Sequence, residues 1–374
     1  MNIKMVLFLL VILLLYGGMN FYAFFKVNHL FHFSGATRIL FVMVLFALIL
    51  DPIFIKFMER LHWETTARSL AYIGYLWMAF IFLFFFLQIA LDLAGCVLKL
   101  VSPGVSANTL DAAFFSTACF IALSLLIYGY YDAQNIRITK LEIPAGRAPF
   151  PENKIRIVQL SDVHVGLMVR GKRLDEILQS VARCRPDILV STGDLLDGEL
   201  DNVSAEAAKF AGIKTKYGKY AVTGNHEYYA GIKKSLDFTQ KAGFEILRDE
   251  IRYVAGINLV GFNDETDKAS LWRTDKAFFQ RLLRPEYFTL ILKHQPRVDE
   301  RLPFNLQLSG HTHAGQIFPF MFFTRLFFPK NAGYFQLGED KHLYVSAGTG
   351  TWGPPVRLLA PAEITIIDLV KKQR

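Results

Sequence analysis

A run of 21 residues without a charged side chain, Met5 to Phe25, lies at the head of the sequence. It is long enough to cross a hydrocarbon core of ~30 Å. No small-residue cleavage site follows it, so it reads as a first span rather than a removable leader. Leu70 to Leu91 is interrupted only by Gln88, and Ala112 to Tyr131 ends in Tyr128, Tyr130 and Tyr131, placed like an interfacial aromatic belt. Ile39 to Leu50 is shorter, stops at Asp51-Pro52 and resumes as Ile53-Phe54-Ile55. Hydrophobic residues make up 52% of the chain, with 34 Phe, and the excess is concentrated ahead of residue 132. The expected organisation is a transmembrane helical domain of about four spans over 1–131, a Pro-, Gly- and Arg-rich linker over 132–153, and a soluble domain over 154–374.

With four crossings both termini share a side. Lys4, the set Lys56, Arg60 and Arg68, and the set Arg137, Lys140 and Arg147 then fall together, against Lys26, Arg38 and Lys99 on the other face. The positive-inside bias places the termini and the downstream domain in the cytoplasm. The net charge is +8, and the soluble part carries +6 of it. That balance suits an anionic substrate or a surface of negative lipids. It lacks the dense basic stripe with interleaved aromatics of a nucleic-acid groove, so no nucleic acid is expected as partner. Cys96, Cys119 and Cys184 are odd in number and show no CxxC spacing, which argues against a disulfide framework and fits a reducing compartment.

Beyond residue 153 strand-like and helix-like stretches alternate: Ile155 to Leu160, Arg173 to Cys184, Asp187 to Ser191, Ser204 to Thr215 and Lys219 to Val222. This predicts an α/β fold with βαβ units and a largely parallel sheet. From Phe244 onward short strands dominate. Five polar clusters each follow an apolar run: Ser161-Asp162-Val163-His164, Gly193-Asp194, Thr223-Gly224-Asn225-His226-Glu227, His294, and Gly310-His311-Thr312-His313. Ligands in open α/β sheets bind beyond the carboxyl ends of strands, so all five can meet along one edge.

Taken one at a time, each cluster is more readily a turn or a buried histidine than a ligand. Together, Asp162, Asp194, His164, His294, His311, His313 and Asn225 offer two carboxylates, four imidazoles and one amide oxygen. That mixed set, free of thiolate, suits Mn²⁺, Zn²⁺ or Fe. Seven ligands exceed one site and suit two metals, a pair that lowers the pKa of a bridging water and clamps phosphoryl oxygens. His226 adds a group able to hold or give a proton near neutral pH. His29, His32, His62 and His342 stand outside the constellation.

The series D-x-H, G-D, G-N-H-E, H and G-H-T-H resembles the calcineurin-like metallophosphoesterase family over about residues 154–370. The resemblance implies a four-layer α/β/β/α sandwich. It also implies one metal on Asp162, His164 and His313, a second on Asn225, His294 and His311, and Asp194 as the bridge. His226, paired with an acidic neighbour, would stabilise the transition state or protonate the leaving oxygen. Ser309 to Gln316, Val345 to Gly350, Pro355-Val356-Arg357 and Pro361 to Ile364 are similar to the membrane-associated bacterial branch, which includes phosphodiesterases and UDP-2,3-diacylglucosamine pyrophosphatases. The sequence departs from that branch at Ala314, where glycine is usual, and in having several spans in place of one anchor.

Ile317 to Phe328 (IFPFMFFTRLFF) follows the last expected ligands. It reads as a loop dipping into the bilayer interface beside the site, in preference to a core strand pair. Lys330, Arg357, Lys233 and Lys234 are candidates to hold a second phosphate, though each is more readily solvated charge. The expected function is a hydrolase of the bacterial inner or plasma membrane that cleaves a phosphoester or pyrophosphate bond of a lipid-linked, amphiphilic substrate by attack of a metal-bridging hydroxide. Two alternatives stand beside it: an anchored phosphoesterase acting on a soluble nucleotide, nucleic acid or phosphoprotein, and a non-enzymatic phosphate-binding membrane sensor.

Overall fold

Long apolar runs become helices because a helix satisfies its own backbone hydrogen bonds where no water can. In the computed structural model, which describes residues 3–102, 106–198, 204–268 and 276–371, four helices come first. They are α1 (Ile3–Phe31), α2 (Gly35–Arg60), α3 (Glu64–Val101) and α4 (Ala107–Gln134). Among the described residues, three helices are long and apolar enough to cross a membrane, and these lie in α2, α3 and α4. The fourth expected span, Met5 to Phe25, falls within α1, but the side chains of residues 5–10 and 12 lie outside the described residues. The short run expected at Ile39 to Leu50 is part of a longer helix, since α2 continues through Pro52.

After α4 come β1 (Arg137–Pro144), β2 (Lys154–Leu160), α5 (Gly171–Arg183), β3 (Ile188–Ser191), α6 (Ser204–Ala211) and β4 (Lys219–Ala221). Next are α7 (Asn225–Tyr229), α8 (Ile232–Lys241), β5 (Glu245–Ile246), β6 (Glu250–Val254) and β7 (Ile257–Gly261). The chain goes on through α9 (Lys276–Leu282), β8 (Phe288–Leu292), β9 (Leu306–Ser309) and α10 (Phe320–Phe327). It closes with β10 (Gly333–Gly338), β11 (Lys341–Val345) and β12 (Glu363–Val370). Two compact units result. One is Met1–Tyr131 with the short return Gly353–Leu358, and the other is Asp132–Trp352 with Leu359–Arg374.

The second unit holds two six-stranded sheets, ordered β1-β12-β2-β3-β4-β5 and β10-β11-β9-β8-β7-β6. Both are largely parallel, as expected, with antiparallel pairings at β12–β2, β10–β11 and β6–β7. β2, β3, β4 and β5 run parallel, as do β7, β8, β9 and β11. The C-terminal strand β12 inserts between β1 and β2, parallel to the first and antiparallel to the second. The segment 132–153, expected as a linker, therefore contains an edge strand. Its Pro, Gly and Arg content reflects a half-exposed edge, where one row of backbone groups needs no partner.

Side chains alternate across each strand and divide the core. Ile157, Val190, Leu259, Leu290 and Leu308 fill the space between the sheets. Val158 and Leu189 turn the other way, against Leu174, Ile177, Phe210 and Phe238 of α5, α6 and α8. Val260 and Ile291 pack outward with Phe262 and with Phe279 of α9. Helices, sheet, sheet and helix thus make a four-layer sandwich. Glu363 on β12 ties the sheets together by accepting from Thr139 Oγ1 on β1 (2.8 Å), Tyr344 Oη on β11 (3.0 Å) and the Ala347 amide (2.7 Å).

The apolar insertion is neither loop nor strand pair. Phe320 to Phe327 form α10, an amphipathic helix with no buried residue of its own. Truncating Ile157 to alanine, in the fully buried layer between the sheets, should cost ~2–5 kcal/mol. Ile138→Ala on the exposed edge should stay within ~0.5 kcal/mol. Thermal unfolding of the purified full-length protein in detergent measures both.

Candidate metal centre

Each expected cluster sits where a strand ends. Ser161 follows β2, Gly193 follows β3, Asn225 opens α7 just after β4, His294 follows β8, and Gly310 follows β9. The strands are held rigid by burial on both faces, so the loops inherit fixed starting points. Within those loops the backbone is strained. Asp162 (φ 53°), His164 (φ 53°), Asp194 (φ 52°), His311 (φ 76°) and His313 (φ 49°) all occupy the left-handed region. A non-glycine residue held there costs on the order of 1–3 kcal/mol and persists only where its surroundings impose it.

Several contacts impose it. The His164 amide donates to Asp194 O (3.0 Å) and the Asp162 amide to Gly193 O (3.1 Å), joining the first two loops. The amides of His226 and His311 donate to the carboxylates of Asp194 and Asp162, both at 2.9 Å. Two glycines make these approaches possible. A Cβ at Gly224 would lie 2.2 Å from Asp194 Oδ1, and one at Gly310 2.2 Å from Asp162 Oδ2. Buried Glu227 accepts from the amides of Gly224 (2.6 Å), Asp194 (3.0 Å) and Leu195 (2.7 Å), locking the second loop to the third.

The side chains converge in three overlapping groups: Asp162, His164 and His313; His164, Asp194 and His226; and Asp194, His294 and His311. Within each group the ligand atoms lie within 4.8 Å of one another. Asn225 Oδ1 joins the last group at 3.1 Å from His294 Nε2. Asp194 is common to two groups, with its Oδ2 at 3.1 Å from His294 Nε2 and 3.9 Å from His164 Nε2.

Tautomers show what such a cluster needs. A carbonyl oxygen can only accept, so His294 Nδ1, 2.9 Å from Thr192 O, carries the proton. Its Nε2 then faces Asp194 Oδ2, Asn225 Oδ1 and His311 Nδ1, each at 3.1 Å, a set that calls for a proton on Nε2 or a metal ion in its place. Likewise His164 Nδ1 donates to Asp197 at 3.2 Å, which turns its Nε2 lone pair toward His313 Nε2 at 3.0 Å. Acceptors crowded around one lone pair repel unless a cation sits among them. The donor set, the shared carboxylate and this crowding fit two divalent ions.

Charge burial gives the same picture. Desolvation opposes an ionised Asp194, but the charges of His294 and His226 outweigh it and hold the carboxyl well below its usual range. At Asp162 desolvation wins and pushes the carboxyl up. His226 is likewise opposed by burial, yet the Asp194 and Asp197 carboxylates push its pKa up to about 9, so it is a proton donor at neutral pH. Its Nδ1 lies 3.1 Å from Asp197 Oδ1. The acidic neighbour is thus Asp197, three residues after Asp194 in Gly193-Asp194-Leu195-Leu196-Asp197, a spacing that reading for metal ligands alone passes over.

Aromatic rings border the cluster. Tyr229 and Trp352, both substantially exposed, lie 5.4 and 6.2 Å from the His226 ring, and Phe328 lies 5.0 Å from that of His311. Arg357 is fully buried and clusters with the helical unit, while Lys233, Lys234 and Lys330 are exposed.

Because Asp197 orients two imidazoles, Asp197→Asn should lower metal affinity or turnover ~10–100-fold with little change in fold. Metal titration and steady-state kinetics test it. Glu227→Ala, which strands several buried amides, should cost on the order of 3 kcal/mol or more and reduce bound metal, read by thermal unfolding and elemental analysis.

Comparison with known proteins agrees with this geometry. Residues 155–315 match the family described as calcineurin-like phosphoesterase. A protein of Aquifex aeolicus named an uncharacterized metallophosphoesterase is 37% identical over 260 residues, covering 68% of this chain and 99% of its own. One of the same description from Campylobacter jejuni is 32% identical over 296 residues, covering 77% and 79%. A transmembrane protein with metallophosphoesterase domain from Danio rerio is 32% identical over 269 residues, covering 67% of this chain and 62% of its own. With its motifs gathered at one sheet edge, and apolar helices ahead of them, the chain belongs to the calcineurin-like metallophosphoesterases.

Proposed function

We propose that this membrane protein hydrolyses a phosphoester or pyrophosphate bond in an amphiphilic, lipid-linked substrate. The observation that carries the hydrolytic part is Asp194, whose one carboxylate is common to two groups of imidazoles at the carboxyl ends of buried strands. Asp162, His164 and His313 would hold one metal and Asn225, His294 and His311 the other, with Asp194 between them. Bound ions of this kind supply Lewis acidity and a reactive water. The chain's own part is positional and acid–base. The strained loops fix the ligands before substrate arrives, and His226 lies ready to give a proton to the departing oxygen, kept charged and oriented by Asp197.

The lipid-linked part rests on α10. Phe318, Phe320, Phe322, Phe323, Leu326 and Phe327 are all exposed, and Phe328 at the end of the helix packs on His311. So much apolar surface beside a metal cluster suits the acyl part of a substrate whose phosphate enters the site. A second reading, an aromatic-containing soluble substrate such as a nucleotide, is favoured by Tyr229 and Trp352 flanking His226, since planar groups stack on such rings. The lysine and arginine distribution supports a catalytic unit on the cytoplasmic face of the inner or plasma membrane.

Protein loaded with Mn²⁺, Zn²⁺ or Fe should cleave an aryl phosphodiester, and chelation should abolish this reversibly; inactivity with every metal would refute the hydrolase. His226→Ala should lower turnover ~10²–10⁴-fold while bound metal, counted by elemental analysis, is retained. Lipid extracts incubated with wild-type and Asp194→Asn protein, then compared by mass, separate the two readings. Selective loss of a phospholipid-like species supports the first. Turnover of soluble nucleotides alone, unaffected by serine at Phe323, Leu326 and Phe327, supports the second.

A further inference from the structure

The helical unit holds two acidic side chains away from the helix ends, and the structure treats them in opposite ways. Asp92 of α3 is fully partnered. Lys26 of α1 pairs with it at 2.7 Å, and it accepts from Tyr22 Oη (2.5 Å) and Gln88 Nε2 (2.8 Å). Asp51 of α2 is 5% exposed, and its Oδ2 has no hydrogen-bond partner among the described residues.

Asp51 is nonetheless accommodated by design of the sequence around it. It stands immediately before Pro52, which has no N–H, so the carbonyl one turn earlier, at Leu48, lacks its helical partner. Tyr16 Oη of α1 donates to that carbonyl at 3.3 Å. On α3 the facing residue is Gly74, and a Cβ there would lie 1.7 Å from Asp51 Oδ2. Asn20, one turn along α1 from Tyr16, is fully buried and accepts from Trp77 Nε1 at 2.8 Å. A polar seam therefore runs through helices whose surroundings demand only apolar residues.

The groups that face Asp51 carry no charge. α1 presents Tyr16 and α3 presents Gly74. Arg68 of α3 lies toward the start of that helix, over the ring of Tyr72. Along α2, Asp51 is roughly 14 Å from the helix end at 1.5 Å per residue, which is mid-depth in a ~30 Å hydrocarbon core. An ionised carboxylate at that depth without a partner is strongly disfavoured, whereas a protonated one is tolerable.

We propose that Asp51 is a proton-binding site inside the helical unit, where the carboxyl takes up and releases a proton between Tyr16, the freed Leu48 carbonyl and Gly74. The helical unit then carries a chemical function of its own in addition to anchoring. It is independent of the phosphoesterase reading.

The full-length protein in phosphatidylcholine vesicles is treated with a hydrophobic carbodiimide, which attacks protonated carboxyls reached from lipid, and modified residues are mapped by mass spectrometry. Asp51 should be labelled to an extent that falls about ten-fold or more as pH is raised. Asp92, paired with Lys26, should stay unlabelled, and Asp51→Asn should remove the label while Asp51→Glu keeps it. No label on Asp51 at any pH, or an equal label at every pH, would overturn the proposal. The wild-type measurement stands by itself if a variant fails to fold.

Discussion

The buried carboxylate of Glu227 is the constraint on which the site depends. It accepts backbone amides from both the Asp194 loop and the Gly224 turn, and by doing so decides where Asp194, Asn225 and His226 can be. Burial and the nearby Asp194 charge push its carboxyl up, against the hydrogen bonds that favour the ionised form. The balance holds only while the amides remain in place, so loop geometry and protonation state support each other. Without this tie the two loops would be joined mainly through side chains that have ligand work to do.

The rest of the centre is a collection of locally unfavourable choices. Five of the expected ligands have left-handed backbone, lone pairs face lone pairs, and two buried acids sit among imidazoles. Such frustration is seldom kept in a core unless something gathers it into one favourable interaction, and metal binding does so. The sandwich underneath supplies the rigidity. The strands that carry the ligand loops are largely buried, and Glu363 links β1, β11 and β12 across the two sheets, so the loops cannot relax the strain by shifting their roots.

The two units illustrate different uses of apolar sequence. In the first, apolar residues lie on all sides of the helices and carry a thin polar seam with one satisfied and one unsatisfied acid. In the second, apolar residues alternate and vanish into three packed layers, except in α10. That helix exposes its phenylalanines beside the site while its neighbour Gly315 packs closely against Met321, so it is held in position rather than trailing.

Much of this was legible in the chain as written. Apolar runs of about 20 residues without charge pointed to helices, and the five clusters of Asp, His and Gly-Asn-His behind apolar runs pointed, taken together, to strand ends with ligand chemistry. These signals are local, set by residue type and short spacing. What local signals could not decide was anything that depends on which strands lie side by side. Residues 137–144 read as linker because an edge strand needs half the usual apolar pattern, and only the arrival of β12 more than 200 residues later pairs it. Phe320 to Phe327 read as loop or strand because dense phenylalanine suits either, and helix wins where nothing buries it. Asp197 and Glu227 show no metal-ligand spacing, and their roles exist only because folding sets a carboxylate from one loop against the imidazoles or amides of another. The sequence alone determined the chemistry available and the ends of strands where it stands; the tertiary structure decided which groups share a proton, a lone pair or a carboxylate, since such sharing depends on distances of ~3 Å between residues remote in the chain.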